Sequence, residues 1–351
     1  SGTSFELDPA QTHAVTFWSV DNVGNVEIAR TEILQPAPES SILARISGKD
    51  RYETAAAISR ATFAADTTEH VVLATGATFA DALAANGLAG ALDAPVLLTP
   101  SADLPPAVIG ELNRLGARDV TVVGGASAVS DNVVSTLAGL GYTVSRIAGS
   151  DRYETAAMIA GQLAEVTGIV PERAFVVRGD SFADALSAAP YAYSQRIPVL
   201  LTRPDALSAA TLQAIQATGL RSVTVVGGTS AVGPAVVREL EAAGITVERI
   251  SGDSRYATAG ALLEYAINAA WTTPEAVGVA SGANFPDALG GGAAMGALHG
   301  ALILTEPATL GSASTQALTR CAPTANDVRV FGGIAAVTPA VMDSIAGAFA
   351  Q

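Results

Sequence analysis

Three short boxes carry most of the chemistry this chain offers. The first reads Asp50-Arg51-Tyr52, Asp151-Arg152-Tyr153 and Ser254-Arg255-Tyr256. Each follows a glycine and opens a helical pattern. A guanidinium placed there grips a phosphate or carboxylate with parallel N–H donors, and the helix N-terminus adds positive potential. Alternatively, the aspartate caps the helix and the arginine pairs with a carboxylate across an interface between units.

The second box is Phe-x-Asp-Ala-Leu, with Asp81, Asp184 and Asp287 at the start of small-residue helices. These carboxylates could cap their helices, pair with the arginines above or hold a cation. Capping is the role expected, since one carboxylate per unit is too few for a magnesium site. The third box is a glycine pair, Gly124-Gly125, Gly227-Gly228 and Gly332-Gly333, between a strand and a helix. Such loops cradle phosphates through backbone N–H groups. This one lacks the Walker lysine and the spaced dinucleotide fingerprint, so a tight, closely packed turn is expected, with a shallow anion site as the alternative. Catalytic constellations are scarce. The histidines are His13, His70 and His299, none at a recurring position, and no serine sits in a nucleophile elbow. The single cysteine, Cys321, leaves no internal disulfide and no cysteine-based zinc site.

The boxes recur in fixed order. RISGKDRYETA from Arg45, RIAGSDRYETA from Arg146 and RISGDSRYATA from Arg249 open three copies spaced 101 and 103 residues apart. FADAL at Phe79 and Phe182 and FPDAL at Phe285 follow, then PVLLT at Pro95 and Pro198 and ALILT at Ala301, then VTVVGG at Val120 and Val223 and VRVFGG at Val328. Four anchors in the same order three times mark a triplicated segment of about a hundred residues.

Within a copy, short β-rich runs (Val71–Thr75, Val96–Thr99, Val120–Val123) alternate with helical spacings (Val108, Leu112, Leu115; Val133, Leu137, Leu140). The runs suit strands buried on both faces, and the alternation predicts a parallel sheet covered by helices. Ser130-Asp131 marks a helix start, as do Gly233-Pro234 and Thr338-Pro339 with proline in the first turn. From Tyr142 to Ile147 one copy runs into the next with no Gly/Ser/Pro tract. That predicts three units packed in a fixed pseudo-threefold arrangement, and the glycine-rich run Gly290 to Ala294 predicts close helix packing near its axis.

The first forty residues differ. His13 to Ile33 alternates apolar and polar residues around Asp21 to Asn25, a β-hairpin pattern, and Gln35-Pro36-Ala37-Pro38 reads as a linker. The hairpin resembles the last two strands of a bacterial Ig-like domain. Ser1 to Ser4 have neither the cationic start nor the apolar core of a signal peptide and read as a processed or truncated end.

Net charge is −14 with Lys49 the sole lysine, and the isoelectric point is about 4.6. Such a chain is unsuited to neutralising nucleic-acid phosphates. An anionic partner would need local arginines or bridging cations. Mean hydropathy is +0.37, yet the most apolar stretch, Ala80 to Leu98, is broken by Asp81, Asn86, Asp93 and Pro95. No membrane-spanning segment is expected.

RISGKDRYETA, GATFADALAA, PVLLT and VVGG, three times over, resemble the cell wall-binding repeat type 2 family. The resemblance covers about nine tenths of the chain. It implies three tandem Toprim-like, Rossmann-like α/β units in a pseudo-trimer. It implies non-covalent attachment of a secreted or surface protein, such as an S-layer protein of a Gram-positive bacterium, to an anionic wall polymer of the teichoic acid or secondary polysaccharide kind. It also implicates an apolar Ile-Leu-Leu-type motif, here Val96-Leu97-Leu98, Val199-Leu200-Leu201 and Leu302-Ile303-Leu304. Toprim-like catalysis would need further acidic residues that VVGG lacks. Ala301 and Ser254 depart from the pattern and put the equivalence of the three sites in question.

The expectations are therefore an Ig-like hairpin remnant and linker over 1–41 and wall-binding repeats over 42–145, 146–248 and 249–351. No catalysis, cofactor, metal, nucleic acid or membrane insertion is expected. Candidate polymer contacts are Arg51, Arg152, Arg255, Asp81, Asp184, Asp287, Leu97, Leu98, Leu200, Leu201, Ile303 and Leu304. The alternative is a structural or adhesive surface domain with a protein partner.

Overall fold

The structure, a computed structural model, describes residues 13–17, 30–34, 42–182 and 184–349. The chain divides into two compact units at Leu43/Ala44. In the first, β1 (His13–Phe17) and β2 (Arg30–Leu34) pair antiparallel, His13 opposite Leu34. The turn expected at Asp21 to Asn25 and the linker at Gln35 to Pro38 lie outside the described residues.

The second unit opens within β3 (Leu43–Ile46) and then passes three times through one α/β pattern. The first pass is α1 (Arg51–Thr62), β4 (His70–Thr75), α2 (Ala80–Ala84), α3 (Asn86–Ala91), β5 (Val96–Thr99), α4 (Pro106–Leu115), β6 (Asp119–Val123), α5 (Asp131–Gly139) and β7 (Thr143–Ile147). The second is α6 (Arg152–Thr167), β8 (Arg173–Arg178), a 3-10 turn (Ala185–Ala188), α7 (Ala189–Ser194), β9 (Val199–Thr202), α8 (Ala209–Thr218), β10 (Ser222–Val226), α9 (Pro234–Ala242) and β11 (Thr246–Ile250). The third is α10 (Arg255–Asn268), β12 (Ala276–Ser281), α11 (Pro286–Ala297), β13 (Ala301–Thr305), α12 (Ser312–Cys321), β14 (Asp327–Phe331) and α13 (Pro339–Phe349).

Among the described residues these strands form three four-stranded parallel sheets, ordered β5-β4-β6-β7, β9-β8-β10-β11 and β13-β12-β14-β3. The strand that opens each sequence copy sits in the sheet of the preceding copy. β7 pairs with β6 and β11 with β10, and β3 takes the equivalent edge beside β14. The arginine at each copy's start fastens the joint. Arg146 donates to the Gly124 carbonyl at 2.7 Å, and Arg249 to Gly227 and Val232 at 2.6 and 2.8 Å. Arg45 donates to Gly332 and Val337, both at 2.8 Å. A sheet unit is thus offset from a sequence copy by one strand, and the last sheet is completed by the first strand of the body.

Strand parity sorts the apolar side chains. Val72, Ala74, Val96 and Leu98 face one core shared by all three units, while Val71, Leu73 and Leu97 face an outer core under α4 and α5. Val176 and Leu200 do the same under α8 and α9. The shared core is tight because its helices are built from small residues. A Cβ on Gly292 of α11 would collide with Ala189 of α7, and one on Gly296 with Tyr193. The close packing expected at Gly290 to Ala294 is what the structure contains, and the units pack on one another rather than hanging as beads. Among the described residues no helix is long and apolar enough to cross a membrane.

Candidate functional site

The box residues converge where units meet, at the carboxyl ends of the strands. Asp50 caps α1, its Oδ1 accepting from the N–H groups of Tyr52 and Glu53, both at 2.8 Å. Asp151 does the same for α6 at 2.9 Å, and Ser254 Oγ accepts from Ala257 N–H at 3.2 Å for α10. The preceding glycine N–H is tied to a threonine one turn into the helix, Gly149 to Thr155 at 3.0 Å. These contacts fix the first helical turn and so aim the arginine that follows the cap.

Each arginine spends one N–H on a strand-end glycine carbonyl of its own unit. Arg51 donates to Gly76 at 2.6 Å, Arg152 to Gly179 at 2.8 Å and Arg255 to Gly282 at 2.5 Å. Those glycines are needed because the adjacent tyrosines lie on them; a Cβ on Gly76 would be 2.7 Å from the Tyr52 ring. Each guanidinium then reaches the phenylalanine of the preceding unit. Arg152 lies 5.8 Å from the Phe79 ring centroid, Arg255 5.6 Å from Phe182 and Arg51 5.8 Å from Phe285. The three rings contact one another at 5.7, 5.9 and 5.5 Å around the pseudo-threefold axis. A guanidinium has five N–H donors. Among the described residues no carboxylate lies within ion-pair distance of these three, so the expected Arg–carboxylate pair across the interface does not form. The remaining donors stay available.

Asp81, Asp184 and Asp287 do not cap their helices. The cap positions of α2 and α11 are Phe79 and Phe285 without a side-chain bond, and Asp184, before the 3-10 turn, makes none either. Their carboxylates instead lean over the glycine pairs of their own units. A Cβ at Gly124 would lie 2.6 Å from Asp81 Oδ2 and one at Gly227 2.8 Å from Asp184 Oδ2; Gly332 would meet Asp287 likewise. With φ of 104°, 116° and 102° at these three positions, the first glycine of each pair serves both a left-handed turn and the seating of a carboxylate. Asp81 and Asp287 are half-buried. Desolvation raises their pKa, opposed by Arg152 for Asp81 and Arg51 for Asp287. At each boundary, therefore, an arginine of one unit faces the phenylalanine of the preceding one, and at two of them Arg152 and Arg51 also act on its aspartate.

The apolar triplets lie elsewhere. Leu97, Leu98, Leu200, Leu201 and Leu304 are fully buried and Ile303 is 2% exposed. They fill β5, β9 and β13 and are all but closed to solvent, so any part they take in binding is through the strand ends they position.

Between the first and second units the box residues line an open cleft of about 280 Å³ that includes Thr75, Thr78, Asp81, Ser101, Ser127 and Arg152. The phenylalanine triad and the serines and threonines of this cleft were not singled out as site residues in the sequence. The signal was present for the first, since phenylalanine opens the Phe-x-Asp-Ala-Leu box in all three copies, and absent for the second, since the hydroxyls vary between copies.

Comparison with known proteins bears on this geometry. The family model described as "Cell wall binding domain 2" matches residues 45–134, 146–237 and 249–342. The N-acetylmuramoyl-L-alanine amidase LytC of Bacillus subtilis (strain 168) is 33% identical over 261 residues, 74% of this chain and 50% of its own length. The amidase enhancer of the same organism is 30% identical over 238 residues, 68% of this chain and 32% of its own length. The chain thus spans half of the one relative and a third of the other. Among solved structures, Cwp6 from Clostridium difficile matches with a TM-score of 0.79 at 24% identity over 97% of this chain and 51% of that one, a likeness of fold. Cwp8 from Clostridium difficile matches with a TM-score of 0.77 at 25% identity over 87% and 51%.

Proposed function

The chain belongs to the cell wall binding domain 2 family, and from that premise we propose that it is a non-catalytic module holding a larger surface protein to the bacterial wall. Its ligand is an anionic wall glycopolymer, gripped non-covalently at the unit boundaries. One observation carries this reading. At three equivalent places a helix-opening arginine is fixed by a carbonyl and an aromatic ring while most of its N–H donors stay unspent. A guanidinium held in this way is pre-organised for phosphate or carboxylate oxygens, and little rotamer entropy remains to be lost on binding. The chain's charge of −14 repels a polyanion at long range, so the grip is local. Each arginine sits at a helix N-terminus, where the backbone contributes positive potential.

Sedimentation with protein-stripped cell walls tests the reading. The wild-type chain is expected to co-sediment. Cleaving wall phosphodiesters with cold hydrofluoric acid, or substituting Arg51, Arg152 and Arg255 together by Ala, is expected to weaken binding at least tenfold, with circular dichroism confirming the fold. Equal binding by the triple variant removes the arginines from the account. Exposed Ile169 and Val170, 67% and 59% accessible, favour as a second reading an adhesive surface that takes a protein partner. Binding only to walls that retain their proteins would favour it.

A further inference from the structure

The three boundary clefts share a backbone plan and differ in the side chains that line them. In the first cleft the end of β4 carries Thr75 and Ala77; the matching residues at the end of β8 are Arg178 and Asp180. Arg178 forms a two-pronged ion pair with Asp180, its Nη2 donating to Oδ2 at 3.1 Å. It also reaches the Ser230 carbonyl at 3.3 Å, the counterpart of Ser127 across the mouth. The Arg178 side chain thus lies beside Asp184 and leaves a space of about 190 Å³. At the third boundary Pro307 and Ala335 replace Ser101 and Ser127, and Ile334, 67% exposed, replaces Ala126.

The first cleft combines an open mouth with Ser101 and Ser127, whereas Thr75 and Thr155 have counterparts in Ser281 and Thr54 at the third boundary. Asp81 offers two acceptor oxygens, and among the described residues no donor lies within hydrogen-bond distance of them. Thr75 Oγ1 accepts from Ala77 N–H and Thr155 Oγ1 from Gly149 N–H, which leaves both hydroxyl protons to donate. Arg152 keeps most of its donors. Two aspartates, Asp81 and Asp151, against one arginine make the lining net acidic, a poor match for bare phosphate. It suits a sugar ring, whose hydroxyls both donate to carboxylate and accept from threonine, with an adjoining anionic group on the guanidinium.

We propose that the clefts are specialised. The one between the first two units holds a saccharide unit of the polymer, and Arg178 with Asp180 latches the one between the second and third. This rests on the wall-binding reading above. The latch is an exposed pair and therefore weak, worth a factor of about five in affinity at most, with the bulk of the arginine side chain adding to it.

The test titrates the full chain by calorimetry with saccharide fragments released from protein-stripped walls by muramidase. The wild type is expected to bind one fragment per chain, weakened at least tenfold by Asp81→Ala. Opening the latch of the second cleft, by Arg178→Thr with Asp180→Ala, the residue types of Thr75 and Ala77, is expected to raise the stoichiometry to two. Asp180→Ala alone, a surface change, is expected to move it in the same direction should the double variant not fold. An unchanged stoichiometry in folded latch variants, or two or more fragments on the wild type, overturns the proposal and leaves wall binding standing. A wild type that binds neither walls nor fragments overturns the wall-binding reading itself.

Discussion

A carboxylate drawn partly out of water without a protein hydrogen-bond donor is a cost to the fold, and Asp81 and Asp287, both half-buried, are two such groups. Burial raises their pKa, so the folded chain binds these protons more tightly than the unfolded one. Below the unfolded value, about 3.9, both states are protonated and no cost exists. As pH rises from there through the raised folded value, stability falls. Asp81→Asn is therefore expected to raise the melting temperature by roughly 2 °C near neutral pH, with the gain vanishing at about pH 3. Scanning calorimetry at the two pH values checks this, and a variant less stable at neutrality would assign Asp81 a structural bond. That binding should weaken in Asp81→Ala while Asp81→Asn gains stability is what a residue kept for a ligand implies. The arginines were legible in sequence because a cap and a fork recur together in the Asp-Arg-Tyr box. The aspartates were read as caps because they open helices. Their true seat over Gly124, Gly227 and Gly332 depends on a turn a full strand-helix-strand away, which no local spacing encodes.

Helices and strands differ in how plainly they announce themselves. The inner strands, apolar at nearly every position, and helices such as α4 and α5 stand where the pattern places them, except that Leu140, the last member of the α5 series, lies at the C-cap and is 50% exposed. The fourth strand of each sheet does not announce itself. Thr143–Ile147 and Thr246–Ile250 alternate between exposed and half-buried positions at the sheet edge, and in sequence they read as a seam between copies. The small-residue helices carry a sharper message, because each glycine has its own neighbour. Gly292→Val, pushed against Ala189, is expected to cost about 2 kcal/mol. Gly290→Ala, whose added carbon would lie 3.7 Å from the Val96 carbonyl, is expected to be neutral or to gain up to about 1 kcal/mol from helix propensity. Urea unfolding separates the two, and equal effects would contradict the packing at the axis.

On the scale of the whole molecule, triplication without linkers was enough to anticipate three units closing on one another. The exchange of strands was not legible, since it joins the first strand of the body to its last sheet, across 287 residues. Removing residues 1–41 is expected to leave the melting temperature of the body within about 2 °C, whereas removing 1–46 strips β3 from the third sheet and is expected to lower it by at least about 5 °C. Arg45→Ala, which deletes two bonds to buried carbonyls, is expected to cost about 2 kcal/mol. Calorimetry on the two truncations decides the matter, and a body equally stable without β3 would show that the third sheet does not need its fourth strand. The order of synthesis adds a consequence of its own. Of the three-sheet body, the strand that completes the third sheet leaves the ribosome first, and the edge it must dock on follows only after the other two sheets. The first two sheets can assemble while translation continues, but β3 waits until β14 has emerged. A ribosome that stalls before β14 emerges releases an open molecule with an unpaired strand, a ready target for proteases and chaperones.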